Sequence, residues 1–385
     1  MTPAARVQTA IDLIDEILAG TAAEKTLTAW ARRSRYAGSK DRRAVRDHVY
    51  DVLRRKNSLA QLGGGDSSRQ LMIGLMREQG ADLERIFDGS AYGSPALEGD
   101  ELIETTNEGA IDLPDWLVPY MQRSLGDDFA KNEQCLRQRA PVNIRVNSKK
   151  GSVEDALQAL ESEQITCEPN PLSPTAFTAV VGGRKIANSV AYIDGLVELQ
   201  DASSQFAVDS LPLKSGTKIL DYCAGGGGKL LAMAGRVDAE FFAYDANAAR
   251  MRDLPRRMQR AGVAAQILEQ EDCIENAPYD VVFVDAPCSG TGAWRRDPAA
   301  KWRFSEADLE GLMNTQDEIL AAAAPLVAPN GILAYATCSL LAEENADRVA
   351  AFIDQTPGWE CSYSRQLTLF DGGDGFFIAH LTRKA

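Results

Sequence analysis

Histidine is almost missing from this chain of 385 residues, with His48 and His380 as its whole complement. A histidine-based zinc site and a Ser-His-Asp triad both need more imidazole than that. His48 falls in a helical pattern and His380 in the terminal apolar run, so packing or a surface place is the expected role of each. Cysteine is scarce and odd in number, seven in all, with no C-x-x-C spacing. Free thiols in a reducing compartment follow, and any nucleophile is expected to be a cysteine. No apolar run approaches the ~18 residues of a membrane span. The opening residues, MTPAARVQTAIDLIDE, lack a secretory h-region, so a cytosolic protein with no membrane and no metal is expected.

Positive charge is also short, with 41 Lys and Arg against 55 Asp and Glu and a net charge of -14. Nucleic-acid affinity rests largely on contacts from Lys and Arg to phosphates, so this balance argues against such a partner. The distribution softens the objection: residues 1 to 60 hold twelve basic and seven acidic residues, a local excess of +5. The length allows two or three domains, because single cores stop growing at roughly 250 to 300 residues.

Two apolar stretches carry the chemistry. VVFVDAPCSGTG, residues 281 to 292, is a continuously apolar run that reads as a central strand buried on both faces. Pro287 has no N–H for a ladder and must end it, which delivers Asp285 and Cys288 to the carboxyl edge of a sheet, where open α/β folds hold ligands. GILAYATCS, residues 331 to 339, is a second such strand, and its end carries Thr337, Cys338 and Ser339 to the same edge.

DYCAGGGGK, residues 221 to 229, is strand, glycine turn, then helix, and its glycines let the backbone approach a ligand closely. It matches neither the dinucleotide fingerprint nor the P-loop. An acid ends the next strand, Asp245 in FFAYD, placed for bidentate contact with ribose hydroxyls. Asp272 follows the third strand and could accept from an adenine amino group. Each acid alone is more commonly a helix cap, but three in register with Asp285 are hard to dismiss.

Pro-Cys after one strand and Thr-Cys after another, together with DYCAGGGGK, resemble the RNA (cytosine-C5) methyltransferases of the Sun/Fmu type, the ribosomal RNA small-subunit methyltransferase B family. The resemblance is good from about Pro141 onward. It implies an S-adenosylmethionine-dependent enzyme that methylates carbon 5 of a cytosine in RNA, with 16S rRNA as substrate. Cys338 would be the nucleophile that adds to carbon 6, and Cys288 would assist release. Asp285 would hydrogen-bond the cytosine ring, and Lys229 would orient base or cofactor. The cofactor would be held by Cys223, Ala224, Gly225, Gly226, Gly227, Gly228 and Lys229, with Asp245, Arg250, Asp272 and Asp285. The family usually has Ala and Pro at Gly225 and Gly226 and Thr at Leu230, so this loop departs from the pattern. The remaining cysteines, Cys135, Cys167, Cys273 and Cys361, are expected to be buried as small hydrophobes.

The expected fold is α/β: a class I methyltransferase, Rossmann-like, doubly wound sheet, a small α+β subdomain and an N-terminal helical region. Residues 1–62 carry helical stripes (Ile11, Ile14, Ile17, Leu18; Val45, Val49, Val52, Leu53) and look like a reduced NusB-like RNA-binding module. Residues 63–140 read as a linker and helical connection: the Gly-, Ser- and Asp-rich stretch from Gly63 to Asp100 is a linker or a set of irregular helix connections, and a helix is expected near 113 to 129. In residues 141–200 the period changes to alternation at VNIRVN, where Arg145 and Asn147 match a family R-x-N pattern for gripping RNA or pair across strands. In residues 201–385, from Ser203, Ser204 and Gln205 onward, strands are expected at 218–222, 241–245, 264–269, 279–285, 330–336, 359–364 and 375–382. RRDPAAKWRF, residues 295 to 304, could grip phosphates with Arg295, Arg296, Lys301 and Arg303 and stack a base on Trp302, or form a rim loop over the cofactor. A monomer is expected. Two rival readings stand beside this one: a methyltransferase for tRNA, DNA or protein, and a non-catalytic RNA-binding ribosome-assembly factor.

Overall fold

The computed structural model describes residues 1–103 and 105–384. Two compact units share the chain: one holds residues 1–119, 127–139 and 294–304, the other residues 120–126, 140–293 and everything from 305 onward.

The first unit is helical, with α1 (Pro3–Leu18), α2 (Ala23–Arg33), α3 (Ser39–Arg54), α4 (Lys56–Gly63) and α5 (Ser68–Glu78). Thr2 caps α1 by accepting from the Ala5 N–H, and Pro3 fits the first turn, where no donor is needed. Ile11, Ile14 and Ile17 are buried along one face with Val45, Val49, Val52 and Leu53 of α3, whereas Leu18 lies exposed. Residues 68–78 are a helix and not a linker. Ser67 and Gln70 form a capping box, and Leu71, Met72, Ile73, Leu75 and Met76 are all buried. Gly74 belongs to a close backbone approach, since a Cβ there would collide with the Leu59 carbonyl of α4.

Residues 294–304 belong to the helical unit. Lys301 is 1% exposed and donates from Nζ to the Arg54 and Asp112 carbonyls, both at 2.7 Å. The Trp302 indole N–H donates to the Leu53 carbonyl at 2.6 Å, and Arg295 is buried. Lys301 and Arg295 are therefore turned inward and do not face phosphates, whereas Arg296 and Arg303 are exposed. Composition could not separate a basic-aromatic grip from a basic-aromatic plug.

The second unit contains two sheets. The smaller joins β1 (Asn143–Val146), β2 (Thr166–Pro169), β3 (Ala176–Val181) and β4 (Val197–Leu199) in the antiparallel order β2-β3-β1-β4. Ile144, Val146 and Phe177 pack against Leu160 of helix Val153–Ser162. Arg145 lies opposite Glu198 and is buried, and the Asn147 amide donates to the Gly195 and Ala261 carbonyls at 3.0 and 2.9 Å. Both are therefore structural, the cross-strand alternative.

The larger sheet joins β5 (Lys218–Asp221), β6 (Glu240–Ala243), β7 (Gln266–Ile267), β8 (Tyr279–Asp285), β9 (Val327–Thr337), β10 (Trp359–Leu367) and β11 (Phe376–Arg383). Its order is β10-β11-β9-β8-β5-β6-β7. β7, β6, β5, β8 and β9 run parallel, and β11 and β10 close the edge antiparallel. Central β8 is covered on both faces: Val282 and Val284 enter one apolar layer, Val281 and Phe283 the other. That two-sided burial explains its unbroken apolar run. Of the four cysteines expected to be buried, Cys273 is, Cys135 and Cys167 are partly so, and Cys361 on edge strand β10 is exposed.

Candidate functional site

β8 and β9 are parallel neighbours with Asp285 opposite Ala336. The Ala286 N–H extends the ladder once more, to the Ala336 carbonyl at 2.9 Å, before Pro287 ends it. Equivalent ends therefore place the two cysteine turns side by side. The sulfurs of Cys288 and Cys338 are 3.4 Å apart, and both residues are half-buried. The Cys288 thiol is pushed well above its ordinary value, first by its hydrogen bond to Cys338, then by burial and by electrostatic interaction with Cys338 and Glu344.

β5 lies on the other side of β8, so its end reaches the same edge. Lys229, at the start of helix Gly228–Ala234, donates to Asp285 Oδ2 and stands 5.4 Å over the Phe376 ring. Burial alone would lower the Lys229 ammonium, but attraction to Asp285 and the hydrogen bond to it outweigh burial, with Cys338 and Asp221 adding to them, and the net shift is upward. Asp221 is fully buried. Its Oδ2 accepts from the Leu230 N–H at 3.1 Å, while its Oδ1 has no partner among the protein atoms. Burial raises its carboxyl to about 7, Asp285 and Asp245 push the same way, and Lys229 and the Leu230 N–H oppose them.

The glycine loop leans on Asp245. The Gly225 N–H donates to Asp245 Oδ2 at 2.9 Å, the Asn247 N–H to Oδ1 at 2.9 Å, and Arg250 pairs with Oδ2 at 3.1 Å. Gly225 and Gly227 have φ of 49° and 77°, and a Cβ on Gly227 would collide with Leu254 Cδ1. Gly227 would therefore strain any L side chain. The Ala224 N–H joins this loop to β6 through the Tyr244 carbonyl at 2.9 Å. Burial, reinforced by Asp221, Asp285 and Asp245, drives the Cys223 thiol upward, so it is an inert thiol under the loop. Asp272 uses Oδ2 to cap its own helix, accepting from the Glu269 N–H at 2.9 Å. That is the ordinary role of such an acid, and it leaves Oδ1 for other partners.

Cys338, Cys288, Asp285 and Lys229 are thus brought together at one edge, next to the loop from Cys223 to Lys229 and the Asp245–Arg250 pair. Asp221 was legible by the rule that marked Asp245 and Asp285, an acid at a strand end, but went unused. Arg257, which donates to the Gly226 carbonyl, and Gln200, which donates to Gly228 O at 3.0 Å, support the loop from sequence positions that carry no signal for it.

A parallel sheet closed by an antiparallel terminal hairpin, with a glycine loop after β5 and an acid just after β6, defines a class I S-adenosylmethionine-dependent methyltransferase. Residues 208–382 match the family model for the 16S rRNA methyltransferase RsmB/F, and residues 113–180 match that for the RsmF/B-like ferredoxin-like domain. The chain is 31% identical over 309 residues to ribosomal RNA small subunit methyltransferase B of Serratia proteamaculans, covering 74% of this chain and 70% of that protein. It is 31% identical over 287 residues to the enzyme of the same name from Photorhabdus laumondii, covering 70% of this chain and 66% of that one. The crystal structure of NSun6 from Pyrococcus horikoshii with SFG shares the fold at a TM-score of 0.63 and 18% identity, over 71% of this chain and 98% of that one. The chain belongs to the RsmB/F family of S-adenosylmethionine-dependent methyltransferases.

Proposed function

We propose that this protein methylates carbon 5 of a cytosine in small-subunit ribosomal RNA, with Cys338 as nucleophile and Cys288 as the group that assists release. The observation that carries this reading is the 3.4 Å separation of the two sulfurs beside the Lys229–Asp285 ion pair. The residues present suit S-adenosylmethionine. An unpartnered buried oxygen on Asp221, a loop whose Gly227 would strain any side chain, and an acid just after β6 make a polar cradle. Gly225 to Lys229, Asp245, Arg250, Asp272 and Asp285 would hold the cofactor, which supplies an electrophilic methyl group when bound.

Carbon 5 of cytosine is too weak a nucleophile to take that methyl group unaided. The sulfur of Cys338 adds to carbon 6, a C–S bond forms, and the displaced electron pair turns the ring into an enamine that is nucleophilic at carbon 5. Asp285 hydrogen-bonds the ring and favours the addition, while Lys229 holds Asp285 in place and sets a buried cation near a negative charge on Cys338. After methylation the proton on carbon 5 leaves to a base, the C–S bond breaks, and Cys338 departs as thiolate. The Cys288 thiol holds its proton at neutral pH and can offer that S–H to the leaving sulfur. A base that reaches both turns must be unpaired or flipped from its stack.

Incubation with RNA carrying 5-fluorocytosine tests the assignment. Cys338→Ala should abolish the covalent adduct and lower methylation by about 10⁶-fold, the scale of losing a covalent nucleophile. Cys288→Ala should still form the adduct but stall before release. A Cys338→Ala protein of normal activity removes the assignment, and bisulfite mapping of total RNA from a deletion strain identifies the target.

A further inference from the structure

The two cysteine turns come from separate strands, and something must hold them in contact. Glu344 does this geometrically. It is fully buried and lies just before helix Ala346–Gln355. Its Oε1 accepts from the Ser289 N–H at 2.7 Å and from the Gln316 amide at 3.1 Å. Its Oε2 accepts from the Ser289 hydroxyl and, at 2.5 Å, from the Ser339 hydroxyl. Ser289 directly follows Cys288, and Ser339 directly follows Cys338. One carboxylate therefore bridges the residues next to both sulfurs. Gln316 adds a second tie to the same turn, donating to the Pro287 carbonyl at 2.9 Å.

Glu344 is itself pinned to β9. The Tyr335 hydroxyl donates to the Glu344 carbonyl at 2.6 Å. The neighbouring Asn345 accepts from the Thr337 hydroxyl at 2.5 Å and donates to the Ser339 carbonyl at 3.0 Å. Burying a carboxylate is costly unless its lone pairs are satisfied, and here four donors satisfy it. Nothing in the fold requires an acid at this place for packing alone.

We propose that Glu344 is a positioning residue that holds the Cys288 turn against the Cys338 turn and so sets the sulfur–sulfur contact on which release depends. The proposal rests on the functional reading above for its catalytic consequence, though the contact can be measured without any RNA. Diamide takes two electrons and two protons from a pair of adjacent thiols, forming a disulfide and becoming the hydrazine, so its rate reads thiol proximity.

In the reduced protein, Glu344→Ala should slow formation of the Cys288–Cys338 disulfide, read by peptide mapping, by about tenfold or more, up to the roughly hundredfold scale of a 1 Å misplacement. Glu344→Gln should recover most of that rate, because its oxygen can serve the Ser289 N–H and Gln316 while its NH₂ donates to two rotatable hydroxyls. With fluorocytosine RNA, Glu344→Ala should accumulate adduct and turn over slowly, with S-adenosylmethionine affinity unchanged. Should Glu344→Ala not fold, Ser289→Ala combined with Ser339→Ala removes both hydroxyls from Oε2 and should slow the disulfide in the same direction. Wild-type disulfide rates in Glu344→Ala, or in the double serine variant, overturn the proposal, as does a folded Glu344→Gln as slow as Glu344→Ala. Absence of adduct in the wild type overturns the functional reading instead and leaves the disulfide comparison intact.

Discussion

At the scale of single residues, a side chain is legible when its own strand or turn places it. Asp285 and Cys288 flank a proline that must stop β8, and Cys338 sits where an apolar run ends, so the residues themselves point to one edge. Glu344 could not be found this way, because its donors come from residues 289, 316 and 339 and meet only after folding. Asp272 combines two roles that its sequence position alone does not separate: one oxygen caps its own helix, and the other is left for a ligand. Gly227 supplies a test at this scale, since its φ of 77° strains any L side chain and a Cβ there must displace Leu254 Cδ1. Gly227→Ala should cost about 1 to 2 kcal/mol in thermal or urea melts. Calorimetry should show weaker binding of S-adenosylmethionine by the same variant.

At the scale of elements, periodicity served well where one face is buried and failed where it is not. The strands of the large sheet fall where the apolar runs lie, although β7 is only two residues long and largely exposed. α5 was hidden because Gly63, Gly64 and Gly74 lower its apparent helicity, while Gly63 and Gly74 themselves let α4 and α5 approach. β11 carries a titration of its own. Its His380 is buried, contacts the Ser210 hydroxyl at 3.1 Å, and is lowered by burial from 6.5 to about 4. The unfolded chain therefore takes this proton first. Stability is complete above pH about 6.5 and is lost as pH falls toward about 4, by on the order of 3 kcal/mol at the end. Urea melts across that range should show the loss, and His380→Gln should flatten it.

At the scale of the whole molecule, the order of helical region, small antiparallel sheet and doubly wound sheet could be read from changes in period along the chain. What could not be read is that residues 294–304 leave the second unit to join the first. Lys301 marks that crossing: its ammonium is lowered to about 7 by burial and bonded to two neutral carbonyls. Lys301→Met removes both bonds while relieving the buried charge, so the net loss should be about 2 kcal/mol in thermal melts. Calorimetric affinity for S-adenosylmethionine should not change, because every residue assigned to the cofactor lies in the other unit. The excursion is possible because the gap between the sulfurs is governed by the lateral spacing of two adjacent strands and is indifferent to how many residues run between them. The connecting segment can change length where it carries no tie to either turn, so tolerance to insertion should be high at the exposed Pro329 and Asn330 and vanish beside Gln316, Thr291 and the residues that flank each cysteine.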